Sequence, residues 1–250
     1  SIVSGGAANQ SLIITAGAGN DTININNAIK AKGTVQITSG TGTDMINLAA
    51  TVISTGGNII FSNAVTLSAG ATLDSGSGSI VFGSTLDGAQ SLDLTAGAGT
   101  VTFTGAVGNS NQLSALTITS AADVSIGAAM KVTGAIGVTS NSGVNVFLGT
   151  AGAGLSLTDA ELDLITAAGS LNITAAGAGM MTVNNVSGGG TITGITRLTA
   201  GGTGVTFATN ASLFDNALTV ASAATIAGVN ITTSADDVIF SSTVTLTTNS

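Results

Sequence analysis

Hydrophobic and polar residues alternate with a period of two along many short segments of this chain. Three clear examples are Val101-Thr102-Phe103-Thr104, Leu116-Thr117-Ile118-Thr119 and Val244-Thr245-Leu246-Thr247. In a β-strand this spacing sends the aliphatic and aromatic side chains to one face and the threonines to the other. The pattern therefore predicts strands with one face in a core and the other in solvent.

A short phrase recurs between these segments: a β-branched residue or Leu, then Thr, then Ala or Ser, then a turn that usually contains glycine. Copies lie at 14–17, 37–40, 94–97, 118–121, 138–141, 198–201 and 231–234. Phe61, Phe82 and Phe103 follow one another at intervals of 21, and Phe147 falls two such intervals plus two residues later. A period of roughly 20–24 residues is typical of repeat architectures, in which each copy buries its apolar face against its neighbours.

These periodicities predict an all-β fold, a parallel β-solenoid with rungs of roughly 20–24 residues and two or three short strands per rung. Hairpin dipeptides are scarce, whereas turns of the Gly-x-Gly type recur once per period and suit the corners of a coil. Each strand should pair with its equivalent one rung away, so that Phe61, Phe82 and Phe103 form one column. No Pro-rich or charged linker interrupts residues 1–250, so we expect a single solenoid body.

The repeat is less regular toward the C-terminus. Thr166, Thr199 and Thr233 are about 33 residues apart, which predicts coils with longer excursions or an extra strand. The segment 157–165 also breaks the β pattern, because Thr158 and Glu161 have capping-box spacing ahead of an apolar run. It is interpreted either as a single helical turn at a corner or as a strand with its acidic residues facing outward.

Composition narrows the classes of function. Aromatic residues make up 3% and charged residues 6% of the chain, and Pro, Cys, Trp, Tyr and His are absent. Because these are side chains on which catalytic domains normally draw, we expect no enzyme, no catalytic residues and no cofactor. Four basic residues in a chain of net charge −8 do not suit a run of phosphates, so nucleic acid is not expected as a partner. No apolar run approaches the length of a transmembrane helix.

Three stretches resemble a known group of proteins: 102–108, 113–118 and 157–163. They are similar to repeat units of the giant exported proteins of bacteria that are related to filamentous haemagglutinin and to the large adhesins of two-partner secretion. The resemblance implies a right-handed β-helical shaft at the cell surface and implies no enzymatic residues. The expected function is therefore a structural segment of an extracellular bacterial filament, sheath or adhesin stalk.

Two glycine-rich turns, 17–23 and 40–46, resemble the calcium-binding nonapeptide of RTX proteins, whose stacked turns bind the ion through carboxylate and carbonyl oxygens. Their spacing of 23 would place Asp21 and Asp44 on adjacent rungs. The RTX motif occurs in long uninterrupted series, whereas only two copies occur here and the second has Thr43 in place of Asn. The preferred interpretation is a pair of tight turns stabilised by local side-chain hydrogen bonds, with no metal and no effect of chelation on melting.

Asp159, Glu161 and Asp163 form an acidic trio of the kind that β-helical lyases and hydrolases use on acidic sugars. Such sites also need basic residues to bind the substrate, and none of the four lies near the trio in sequence. A solvated acidic corner is the preferred interpretation, and a polysaccharide-active enzyme is the less favoured alternative.

Pairs of threonines separated by one residue suggest a third alternative, because flat ranks of Thr on a solenoid can order water as in ice-binding proteins. The pairs are Thr102 and Thr104, Thr117 and Thr119, Thr191 and Thr193, and Thr245 and Thr247. They do not recur in every period, so the preferred interpretation is the ordinary outward threonine of a half-buried strand.

Both ends of the sequence lie within repeat-like segments, 1–4 and 244–247. Exposed strand edges favour pairing with further strands, and terminal repeats normally carry polar caps. We therefore expect further copies of the chain, or adjoining repeats of a longer polypeptide, as partners in a filament. A cell surface or a polysaccharide is a further candidate partner.

Overall fold

The computed structural model describes residues 2–3 and 10–247. Parallel strands stack as a β-solenoid of about ten turns in all, which confirms the predicted fold class. The chain divides into two compact units, unit 1 (Ser1–Ala121 and Ser125–Lys131) and unit 2 (Ala122–Val124 and Val132–Ser250). The single body expected over residues 1–250 stays a prediction.

The strands of unit 1 are short because each covers only one side of a turn. In chain order they are β1 (Ile2–Val3), β2 (Leu12–Thr15), β3 (Thr22–Ile25), β4 (Ile29–Ala31), β5 (Val35–Thr38), β6 (Met45–Leu48), β7 (Val52–Ser54), β8 (Ile59–Phe61), β9 (Ala64–Leu67), β10 (Ala71–Asp74), β11 (Ile80–Phe82), β12 (Leu86–Asp87), β13 (Ser91–Thr95), β14 (Thr100–Phe103) and β15 (Ala115–Ala121). Two strands, β16 (Asp123–Ile126) and β17 (Met130–Val132), contain residues assigned to both units.

Unit 2 adds one helical turn to the same kind of strand. Its elements are β18 (Ile136–Ser140), β19 (Val146–Gly149), β20 (Leu155–Thr158), α1 (Asp159–Leu162), β21 (Ile165–Ala167), β22 (Leu171–Ala175), β23 (Met181–Val183), β24 (Thr191–Ile192), β25 (Thr196–Ala200), β26 (Val205–Phe207), β27 (Ser212–Phe214), β28 (Leu218–Val220), β29 (Ala224–Ile226), β30 (Ile231–Thr233), β31 (Val238–Phe240) and β32 (Val244–Leu246).

Each regular turn of unit 1 contributes one strand to each of three parallel sheets. Within this unit the sheets contain β1-β4-β7-β10-β13-β15, β2-β5-β8-β11-β14 and β3-β6-β9-β12. A turn therefore has three strands. The sequence alone allowed two or three strands per rung. Residues that bond between successive turns are 21 positions apart for Ser79 and Asn58 and 24 apart for Thr95 and Thr119, within the predicted rung length.

Unit 2 has the same three-sided plan, with a long turn at its start. Its sheets contain β18-β22-β25-β28-β31 and β20-β19-β23-β26-β29-β32, with β21-β24 and β27-β30 on the third side. The Met180 amide donates to the Asn145 side chain 35 residues earlier, because β20 and α1 are inserted in that turn. The separation falls to 21 between Thr247 and Ile226.

The threonines spaced about 33 residues apart do not occupy equivalent positions in successive turns. Thr199 is in register with Thr174 of the preceding turn, and Thr166 is in register with Thr191 of the next. These threonines therefore occupy different sides of their turns. The irregularity is one long turn that carries both an extra strand and a helix.

The core is filled by like side chains that stack from turn to turn. Phe82 is in register with Phe61 on one side and with Phe103 on the other. Successive ring centroids are 5.4 Å apart, with interplanar angles of 13° and 4°. The predicted phenylalanine column is confirmed. Phe147 is not part of it, since it lies half-buried on the outward face of β19, opposite Thr182.

Glycines stack at the corners, as the recurrent Gly-x-Gly turns predicted. Gly57, Gly78 and Gly99 lie above one another at the corner that precedes β8, β11 and β14. A Cβ on Gly99 would collide with the carbonyl oxygen of Gly78, and a Cβ on Gly78 would collide with that of Gly57. The close approach of successive turns therefore requires glycine here.

The helical interpretation of the segment around residue 160 is confirmed. Helix α1 begins at Asp159, and the carboxylate of Glu161 accepts hydrogen bonds from the Thr158 amide at 3.0 Å and from its hydroxyl at 2.8 Å. The capping residues thus close the turn that their spacing indicated. The alternative strand is wrong.

Replacing the central ring of the phenylalanine column should strongly destabilise unit 1. We expect Phe82→Ala to lower the free energy of unfolding by about 3–5 kcal/mol, because it removes buried apolar surface and leaves a cavity between two rings. Val81→Ala, which truncates the half-buried outward neighbour, should cost about 1 kcal/mol or less. Chemical unfolding followed by circular dichroism measures both, and equal costs would contradict the column's role.

The glycine column offers a second test with a matched control. Gly99→Ala places a methyl group against the Gly78 carbonyl and should cost about 1–3 kcal/mol of stability. Gly17 belongs to a similar Gly-Ala-Gly turn, but no atom of the described residues lies within 4 Å of the place that a Cβ would take, so Gly17→Ala should change stability by less than about 1 kcal/mol. Similar melting temperatures for the two variants would show that the turns can move apart.

Candidate functional site

The acidic trio lies at a corner of unit 2, where it holds a loop. The loop 184–190 joins β23 to β24 and passes over α1. Asp159 accepts a hydrogen bond from the Ser187 amide at 2.7 Å, and Asp163 accepts one from the Gly189 amide at 2.9 Å. The Glu161 carboxylate caps α1 by accepting hydrogen bonds from Thr158. The two aspartates thus face the loop while the glutamate closes the helix.

A fourth carboxylate, that of Asp215, joins this corner from the next turn, directly after β27. Its Oδ2 accepts a hydrogen bond from the Ile192 amide at 3.1 Å. A Cβ on Gly190 would lie 3.2 Å from the same oxygen, so this glycine allows the close approach of loop and carboxylate. Sequence reasoning missed Asp215, because a lone Asp after a strand has no spacing that relates it to Asp163.

The electrostatics of Asp215 differ from those of an exposed carboxylate. Burial raises its pKa above the ordinary value, and the negative charge of Asp163 raises it further. The hydrogen bond from the Ile192 amide acts in the opposite direction, since it favours the ionised form. The pKa is raised overall, so part of the cost of this charge is left uncompensated in the folded state.

A small cavity lies beneath this corner. Its volume is about 30 Å³, and its lining is mainly apolar: Leu148, Leu162, Leu171, Ile173, Val186, Ile192, Leu213 and Phe214, with Asp163, Thr196 and Asp215 at the polar side. This is room for a water molecule or two. Pockets that bind small molecules measure roughly 300–1,000 Å³. The arrangement therefore fits an anchored loop better than a sugar-binding cleft.

The two aspartates of the calcium-like turns lie on adjacent turns of unit 1, as their spacing predicted. Thr22 is in register with Met45, and the Asp21 amide donates to Oδ1 of Asp44 at 2.8 Å. Asn20 caps the same corner through a 3.1 Å hydrogen bond from the Thr43 amide. Local side-chain hydrogen bonds thus stabilise these turns. Among the described residues, no group of three or more His, Cys, Asp or Glu side chains is arranged to hold a metal.

The threonine pairs do not form a common surface. Thr102, Thr117 and Thr191 belong to strands of three different sheets. Threonines of other strands do stack in outward columns: Thr182, Thr206, Thr225 and Thr245 along β23, β26, β29 and β32, and Thr139, Thr174 and Thr199 along β18, β22 and β25. Each column is one residue wide, whereas stacked Thr-x-Thr pairs would place two columns side by side.

Comparisons with family models, with curated proteins and with solved structures found no significant match. Within the described part of the chain, no helix is both long enough and apolar enough to cross a membrane.

Neutralising Asp215 should stabilise the protein in a pH-dependent way. Because the folded state raises the pKa of this acid, its contribution to stability falls as pH rises from the unfolded toward the folded pKa. Asp215→Asn removes the unfavourable charge and keeps an acceptor for the Ile192 amide. We expect its melting temperature at pH 7 to exceed the wild-type value by a few degrees or less, and the difference to shrink toward pH 4.

The control for this measurement is Asp93→Asn, which changes the net charge equally at an exposed position on β13. It should leave the pH profile of melting unchanged in shape. A melting temperature of Asp215→Asn that is lower than wild type at pH 7 and at pH 4 would show instead that the corner needs the carboxylate.

Proposed function

We propose that this chain is a structural segment of an extracellular bacterial filament, sheath or adhesin stalk, in which stacked turns serve as a stiff spacer. The observation that supports it best is the turn-to-turn register of identical core side chains, seen in the ladder of Phe61, Phe82 and Phe103. A chain that stacks one small unit on the next in register extends along one direction as units are added. That property suits a protein whose work is to span distance.

The backbone supports a stiff object within each unit. The Val35 amide bonds to the carbonyl of Asn58 at 2.8 Å, and the Ile59 amide bonds to that of Ser79 at 2.9 Å. Bonds of this kind join each turn to the next on all three sides, so bending the stack would strain or break several of them at once. Such a backbone also offers a protease few segments whose amide and carbonyl groups are free of hydrogen bonds to neighbouring turns.

The outer surface supports the same role. Exposed polar side chains bond along the stacking direction, as in Asn47 to Asn24 at 2.8 Å, Thr38 to Ser62 at 3.0 Å and Thr95 to Thr119 at 2.6 Å. These contacts use the polar groups to stabilise neighbouring turns. We propose no enzymatic activity for this surface. Its proposed partners are further copies of the chain or adjoining repeats of a longer polypeptide. We also propose contact with a cell surface or a polysaccharide.

Electron microscopy of the native material, with an antibody against this chain, tests the proposal. We expect antibody to decorate filaments or stalks on intact cells of the source organism, because an exported spacer must be accessible from outside. Pre-immune antibody is the control for labelling. Label that appears only after the cells are permeabilised, or label on globular particles without filaments, would contradict the proposal.

A further inference from the structure

Three buried oxygen atoms without a hydrogen-bond partner lie at one corner of unit 1. They are Ser39 Oγ, Asp44 Oδ2 and Asp21 Oδ2, and the fourth such atom in the described part of the chain is Asn216 Oδ1 in unit 2. Ser39 is 1% exposed and Asp44 is 8% exposed. Because buried polar side chains almost always have a partner, three such oxygens at one corner are a suitable set of acceptors for a shared ligand.

The fold brings these residues to one corner. Ser39 and Asp44 are the two buried ends of the turn that joins β5 to β6, whose intervening residues 40–43 are exposed. Asn63, which occupies the position of Asp44 one turn later, accepts a hydrogen bond from the Ser39 amide at 3.0 Å. Asp21 lies one turn earlier, with its amide 2.8 Å from Asp44 Oδ1. The inside of this turn is therefore bounded by Ser39, Asp44 and Asp21.

The charge at this corner is costly without a further partner. A buried carboxylate is tolerated when hydrogen bonds or opposite charges replace its hydration. The single amide of Asp21 satisfies one oxygen of Asp44, and the Oδ2 atom of each aspartate is left over. A proton or a water molecule would satisfy one or two of these atoms without opposing the negative charge, whereas a cation would also compensate the charge.

The oxygen set indicates which cation fits. Carboxylate and hydroxyl oxygens are hard ligands, which favour Ca²⁺ or Mg²⁺ over softer metals. Ca²⁺ accepts about six to eight oxygens in irregular geometry, so backbone carbonyls and water can complete its shell, whereas Mg²⁺ demands near-octahedral geometry. A corner between two backbone turns suits the less demanding ion.

We propose that Asp21, Asp44 and Ser39 bind one Ca²⁺ ion, which ties two adjacent turns of unit 1 together. This departs from the sequence-based expectation of no metal. The small number of motif copies argued against a metal, whereas the buried oxygens of Ser39, Asp44 and Asp21 argue for one.

Calorimetric titration of the intact chain with CaCl₂, together with melting curves in Ca²⁺, in Mg²⁺ and in excess chelator, tests the proposal. We expect one saturable Ca²⁺ site, a melting temperature that rises by several degrees in saturating Ca²⁺, and a smaller rise in Mg²⁺. Asp44→Asn should weaken Ca²⁺ binding at least tenfold. Asp93→Asn, an exposed acid on β13, should bind as wild type does.

Ser39→Ala provides a second variant, because it removes one ligand without changing charge and with little change in volume. It should fold even if Asp44→Asn does not, and it should bind Ca²⁺ several-fold more weakly than wild type. No binding heat together with a melting curve that is the same in Ca²⁺ and chelator would overturn the proposal. So would Ca²⁺ affinity that is unchanged in Ser39→Ala and in the Asp44→Asn variant where it folds.

Discussion

Hydrogen bonding between successive turns is the constraint on which the rest of this structure depends. The Leu12 amide bonds to the Thr34 carbonyl, and the Val35 amide bonds to the Asn58 carbonyl one turn later. Because the pairing is parallel and in register, each side chain stacks on its equivalent in the next turn. A substitution at a core position therefore changes the packing of the equivalent side chains in the turn before and the turn after it. This explains why Phe stacks on Phe and why the alternation of core and surface residues keeps its phase from turn to turn, up to the one-residue register shift between β13 and β15.

Corners absorb the differences in length that the strands do not tolerate. The corner between β5 and β6 spans residues 39–44, whereas the equivalent connection between β8 and β9 is only Ser62 and Asn63. Where adjacent turns differ in this way, a polar group can be enclosed without an equivalent group above it to bond with. Both acidic sites lie at corners where adjacent turns differ in length. Acidic side chains become enclosed in this solenoid where the corner length changes from one turn to the next, since residues at regular strand positions are either packed in the core or exposed to solvent.

The sequence was sufficient for what depends on local periodicity. Alternation predicted the strands, the interval between Phe61, Phe82 and Phe103 predicted their column, and the spacing of Thr158 and Glu161 indicated a helical turn as one of two interpretations. It was insufficient wherever an insertion changes the register. Phe147 fits the interval nearly as well but lies on the outer face, because its strand follows a turn of different length. Asp215 meets the Asp163 corner only after the long turn is folded, so no pattern in the chain relates them.

The two acidic corners show different solutions to the same electrostatic problem. In unit 2 the carboxylates of Asp159, Asp163 and Asp215 each accept a backbone amide from the loop that they anchor or from the strand after it. In unit 1 the Asp21 amide bonds one oxygen of Asp44, and each of these two aspartates retains a buried oxygen without a partner. A glycine-rich loop can supply several amides because its backbone is free to turn toward the acids. At the unit 1 corner the Ser39 and Thr43 amides donate instead to the side chains of Asn63 and Asn20. A cation would supply the compensation that the described hydrogen bonds of that corner do not, which is the physical argument for the proposed site.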